Sequence, residues 1–184
     1  MEFAAKHPDE RRSRSSIRLL ERGHFDCRAC PDLIKFSSAV NFSKTNYTGV
    51  DQAAFAGYCE ILRTIGSGVD QKEYSFVVIL QASKPVAYKY SIPEGGTNSL
   101  SSFKADTSSG NLKVRAFCHT HPKSDRGDFG GDDKDHFRNA IKDASLQGIA
   151  FYLMNTFREV RIARALDDFP QGKPTSFKSD DCPK

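Results

Sequence analysis

The run Tyr74-Ser75-Phe76-Val77-Val78-Ile79-Leu80 constrains the fold more than any other stretch of the chain. Its β-branched and aromatic residues favour extended backbone. Because apolar residues follow one another instead of alternating with polar ones, the run reads as a central strand with both faces covered. A sheet built around it therefore needs packing elements on its two sides. The sequence offers two helices for that purpose. From Asp51 to Ile65, Phe55, Cys59 and Leu62 recur at helical spacing with Ala54, Tyr58, Ile61 and Ile65 beside them, and Gly66 and Gly68 end the pattern. From Asp132 to about Leu146 the apolar stripe is Phe137, Ala140, Ile141 and Ala144, with Gly148 as the stop.

Further strands fall between and after these helices. Val86, Tyr88, Tyr90 and Ile92 alternate with Ala87, Lys89 and Ser91, the pattern of a half-buried strand paired to the first. Val114 to Thr120 is a third, with Val114, Ala116 and Cys118 expected on the face opposite His119. Ile149–Met154 and Val160–Ala163 form a pair around Asn155 to Arg158. The expected fold class is α/β (α+β), a mixed β-sheet flanked by helices, and there are no internal repeats. Three regions are expected: a basic and polar extension over 1–50, one domain over 51–165, and a mobile polar tail over 166–184. Asp167, Asp168, Pro170, Gly172, Pro174 and their neighbours offer that tail little apolar surface to bury. The Gly-, Ser- and Thr-rich stretch from Pro93 to Gly110, which contains Phe103, reads as a long functional loop.

Composition narrows the function classes. At 184 residues the chain is long enough for a conventional core, and 38% of it is hydrophobic. No stretch approaches the roughly 20 apolar residues of a membrane span, and no basic, apolar signal sequence opens the chain. The chain is accordingly expected to be cytoplasmic in its producer, or delivered to a target cell by another route. A net charge of +4 is modest, and the arginines at 11, 12, 14, 18 and 22 are interspersed with Glu10 and Glu21. That segment reads as a solvated extension before it reads as a nucleic-acid contact. Among the five cysteines, Cys59 and Cys118 read as small core residues, while Cys27 and Cys30 form a Cys-x-x-Cys pair that no second pair complements. A reducing compartment is expected.

The chemistry concentrates in Cys118-His119-Thr120-His121-Pro122 and the nearby Phe129-Gly130-Gly131-Asp132-Asp133. On a strand, residues i and i+2 point to one face, so His119 and His121 can aim both imidazoles at one ion. Hydrolytic zinc takes three nitrogen and oxygen ligands and leaves a fourth position to water. Two histidines and one aspartate meet that count. Asp133 stands four residues before Phe137 and seven before Ala140, which puts it on the inward face of the helix, whereas Asp132 shares a side with Asp135, His136 and Asn139. Asp133 is the favoured ligand and Asp132 the alternative.

These residues resemble the JAMM (JAB/MPN) metalloprotease domain, whose hallmark is a His-x-His-Pro pair, a downstream Ser-x-x-Asp and an upstream Glu on another strand. Over roughly residues 50 to 165 the order of elements is closest to the JAB-like domains at the C-termini of bacterial Rhs-type and other polymorphic toxins. The resemblance implies a cytidine-deaminase-like arrangement, a zinc cofactor, and peptidase or isopeptidase activity in a toxin or effector. It also implies a protein or peptide substrate and a cognate immunity protein as partner. Glu73, at the start of the central strand, would then accept a proton from the activated water and pass it to the leaving amine. One departure stands out, since the family's serine falls on Gly130 when the aspartate is Asp133, and on Phe129 when it is Asp132. Two other readings follow from the residues. With Asp128, Asp132, Asp133, Asp135 and His136 available, a metal-dependent nuclease is one; without the serine, a non-catalytic JAMM-like binding module is the other.

Overall fold

The computed structural model describes residues 41–82, 86–91, 94–95, 112–122 and 127–183. The arginine-rich segment, the Cys27/Cys30 pair, Phe103 and Ser124 lie outside the described residues. Helix α1 (Val50–Ile65) is followed by β1 (Tyr74–Gln81), β2 (Ala87–Tyr90), β3 (Glu94–Gly95), β4 (Leu112–Thr120), α2 (Gly131–Ala140), β5 (Ala150–Met154), β6 (Val160–Ala163) and β7 (Lys173–Pro174). The strands form one mixed sheet in the order β2-β1-β4-β5-β6-β7, with β3 paired to β1. All pairs are antiparallel except β4 and β5. A parallel pair requires a crossover, and α2 with the 3₁₀ turn Ala144–Leu146 supplies it.

The central strand is as its sequence demands, with Ser75 to Ile79 all buried. Even-numbered Phe76 and Val78 enter a core with Ala53, Ala54, Tyr58 and Ile61 of α1, while odd-numbered Val77 and Ile79 enter a second core with Phe129, Phe137 and Ala140. The helix α1 lies closer to the sheet than its periodicity indicates. Its most buried face is Ala53, Ala54, Gly57, Tyr58 and Ile61, whereas Phe55, Cys59 and Leu62 are only partly buried. Gly57 explains the rotation, because a Cβ there would stand 2.4 Å from the Phe76 ring. Only glycine lets the helix backbone rest on that ring.

Several expectations are corrected. Ala116 and Cys118 face α1, but Val114 faces α2, because the β1–β4 register shifts between Val78 and Ile79 and the bulge re-aims the start of β4. Helix α2 stops at Ala140 instead of running to Leu146. Asp143 accepts hydrogen bonds from the backbone N–H of Ser145 (2.8 Å) and from its hydroxyl (2.7 Å), which turns the chain away and leaves Ile141 43% exposed. Val86 lies before β2 and is exposed. Cys59 is bonded to Cys182, so it is not a free core thiol, and this disulfide removes the ground for expecting a reducing compartment. Cys118 is the free, buried cysteine among the described residues.

The segment after Leu166 is packed onto the domain, contrary to the expected mobile tail. Phe169 is buried in the second core, β7 pairs with β6, Phe177 packs against the first core, and Cys182 closes the segment onto α1. Its few apolar side chains are far apart in sequence, but each fills a separate position.

Candidate metal centre

A polar site stands at one end of the sheet, where β1, β4 and β5 lie side by side. At the carboxyl end of β4, His119 pairs with Ser75 of β1 on one side and with Leu153 of β5 on the other. Beyond the strand end, the His121 backbone N–H donates to the carbonyl of Met154 at 3.1 Å, so the parallel alignment continues past Thr120. Both histidines are buried and on the α2 face, as the i, i+2 spacing requires. Thr120 points the other way; its hydroxyl oxygen accepts the backbone N–H of Tyr74 at 3.0 Å and so ties the entry of β1 to the residue between the histidines.

The first turn of α2 delivers the carboxylate. Gly130 precedes the helix, and its backbone N–H donates to Asp133 Oδ2 at 2.7 Å, the half of a capping box that an acidic third residue provides. That bond turns Asp133 away from solvent toward the sheet, and the positive end of the helix dipole favours its negative charge. Asp133 is 4% exposed, whereas Asp132 lies on the open side of the helix. Burial on its own would raise the Asp133 pKa. The His119 charge, hydrogen bonds from His119 and His121 and the Gly130 N–H outweigh burial and hold it well below the usual carboxylate range.

The three side chains meet at short range. His119 Nε2 and His121 Nε2 stand 3.3 Å apart, His119 Nε2 and Asp133 Oδ1 3.3 Å, and His121 Nε2 and Asp133 Oδ2 3.6 Å. Two ligand atoms on a tetrahedral ion with bonds of about 2.0–2.1 Å are separated by about 3.3 Å. Two of the three contacts have that separation, and the third, made to the other carboxylate oxygen, is 3.6 Å. Two imidazole nitrogens and a carboxylate facing one another in a buried space are a donor set that a metal ion fits. Among the described residues no fourth His, Cys, Asp or Glu joins the group.

Glu73 sits one residue before β1 and is buried. Because Ser75 is opposite His119, extending the antiparallel register by two residues puts Glu73 across from His121, on the same face. Glu73, His119, His121 and Asp133 thus occupy one end of one face. Asp132 and His136 are exposed, Asp135 pairs with Arg138 on the surface, and Asp128 is half-buried. Asp125 lies outside the described residues.

Three supporting groups lie around the ligands, and of these only Phe129 belongs to the sequence motif. The Tyr58 hydroxyl of α1 donates to the His119 carbonyl at 3.1 Å, from the opposite side of the sheet. Phe129 presents its ring to His119, with centroids 6.0 Å apart and planes at 62°. Asn155 organises the β5–β6 turn beside the site, its Oδ1 accepting from the backbone N–H groups of Phe157 and Glu159, each at 3.0 Å. A buried tyrosine on a helix that crosses the sheet is the one signal sequence could have offered for Tyr58, since a buried hydroxyl requires a partner. Compared with protein-family models, with curated proteins and with solved structures, the chain matches none.

Proposed function

We propose that this chain is a zinc-dependent hydrolase of the JAMM type, a peptidase or isopeptidase that acts as a bacterial toxin or effector domain. The observation that carries this reading is the buried His119–His121–Asp133 group, its contacts at 3.3 to 3.6 Å, which no fourth His, Cys, Asp or Glu joins among the described residues. Structural zinc is normally enclosed by four protein ligands, whereas hydrolytic zinc keeps one position open. The order of the parts supports the family reading: two histidines from a strand end, an aspartate from the first turn of the next helix, and a buried glutamate entering the neighbouring strand. A zinc ion in the group would polarise a scissile carbonyl and lower the pKa of a bound water to about 7. Glu73, which the strand register sets across from His121, would take a proton and return it to the leaving amine. Phe129 packs edge-on against the His119 ring. The toxin role, and a cognate immunity protein as partner, rest on the resemblance alone.

The nuclease reading has less support, because the acidic residues proposed for a second ion do not gather with His119, His121 and Asp133 among the described residues. The non-catalytic reading draws on Gly130, which offers no hydroxyl where the family has one. Removing a single oxyanion donor typically costs about a hundredfold or more in rate, so a weak activity is compatible with the peptidase reading.

Metal content per chain tests the reading. Wild-type protein purified without chelator is expected to hold about one zinc, His121→Ala none, and Glu73→Gln about one. Turnover of peptide or isopeptide substrates should fall by roughly a hundredfold to ten-thousandfold in Glu73→Gln. Zinc-free wild type would overturn the assignment, and loss of zinc in Glu73→Gln would make Glu73 a ligand.

A further inference from the structure

We infer that the C-terminal segment is a working part of the metal site, and that Phe129 and Phe169 are positioning residues for His119 and Asp133. This rests on the metal-site reading and goes beyond it, since neither residue bears a ligand atom and the segment lies beyond all three ligands in sequence.

The contacts form a continuous path. Phe169 is buried and stacks at an angle on Phe129, with ring centroids 5.0 Å apart, and Phe129 in turn meets the His119 ring. Phe169 also contacts Phe137 at 5.2 Å, one helical turn beyond Asp133. One side chain of the segment therefore supports both the strand that carries the histidines and the helix that carries the aspartate. The backbone repeats the link, because the Phe129 N–H donates to the Pro170 carbonyl at 2.9 Å. Gly172 allows the approach. Its φ is +65°, and a Cβ there would stand 2.7 Å from the Phe129 ring. The far end of the segment is anchored independently, by the Cys59–Cys182 disulfide and by Phe177 against Phe55 and Tyr58.

An imidazole ligand binds well only if its ring is held in the plane the ion requires, and groups behind the ligands commonly set that plane at a cost of 10- to 100-fold in affinity when removed. For His119 the described neighbour on the ring's inner side is Phe129, and Phe169 keeps Phe129 in place. Loss of the Phe169 ring would leave both free to turn.

Cobalt(II) titration of the full chain, followed by its visible absorption and by competition with a chelator, tests this. Wild type should bind one cobalt with a tetrahedral spectrum. Phe169→Ala should bind about 10- to 100-fold more weakly with a shifted and weakened band, and Phe169→Leu, which refills part of the space, should recover much of both. Val114→Ala removes buried volume from the same core at the other end of β4 and should leave spectrum and affinity unchanged, which separates positioning from loss of stability. If Phe169→Ala and wild type share affinity and spectrum, the positioning role is wrong while the metal site stands. If Val114→Ala weakens binding as much as Phe169→Ala, the effect is one of stability and the positioning role is again wrong. If wild type binds no cobalt, both assignments fall.

Discussion

On the α1 side of the sheet, Ala53, Ala54, Tyr58 and Ile61 lie on Phe76, Val78, Ala116 and Cys118, and apolar packing runs the length of the strands. The α2 side changes character along the same strands. At one end it is a core of Val77, Ile79, Val114, Phe137 and Phe151, and at the other it becomes Glu73, Ser75, His119, His121 and Asp133, all buried. Burying so many polar groups costs free energy unless they are paired or ligate a cation. Helix α2 cannot offset this by itself, since it is short and its buried residues are Asp133, Phe137 and Ala140. The difference separates the labour: one face holds the sheet together, and the other gives up part of its apolar packing to a buried polar cluster.

Substitutions on the two faces should therefore differ in kind. The largest loss of stability is expected from Phe76→Ala, about 3–5 kcal/mol, measured by denaturant unfolding. Phe76 touches Tyr58 and Tyr90 at right angles and fills the space left by Gly57. Replacing both Cys59 and Cys182 by serine should cost about 2–4 kcal/mol by the same measurement, without removing a metal ligand. On the other face, Asp133→Asn should abolish stoichiometric zinc, whereas Asp132→Asn should leave zinc content unchanged and stability within about 0.5 kcal/mol. Equal zinc in the two variants would erase the distinction between inward and outward aspartates. The smallest expected change is from Gly130→Ser. Gly130 has ordinary extended dihedrals, and a Cβ there would meet its nearest neighbour at 3.6 Å, so a side chain fits. A serine at this helix start should add a few tenths of a kcal/mol. If the peptidase proposal holds, it should also raise turnover, and an unchanged rate would remove the hydroxyl argument.

The sequence made some of this plain. β1, β5 and β6 are short apolar runs bounded by turn residues, and the histidine pair follows from the period of two. Asp133 follows from helical period, because only one of two adjacent carboxylates can face the core. What escaped depends on pairings distant in sequence. The rotation of α1 is decided by Gly57 against Phe76, and the early end of α2 by a side chain–backbone contest at Asp143. The packed C-terminal segment escaped because Phe169 and Phe177 are isolated among polar residues, and because cysteine partners cannot be deduced from spacing. Glu73 is singled out mostly by the family resemblance, and its position across from His121 comes from strand register alone.

All three ligands of the proposed centre come from the single segment between His119 and Asp133. An ion bound there closes one short loop, and closing a loop of that size costs little chain entropy compared with joining distant parts of a chain. The unfolded polypeptide can therefore chelate the same ion, though more weakly. Stabilisation by metal depends on the difference between folded and unfolded affinities, so the gain in unfolding free energy on adding zinc should fall short of that calculated from native affinity alone. Conversely, an ion captured early would already have drawn the end of β4 and the start of α2 together before β1 and β5 close around them.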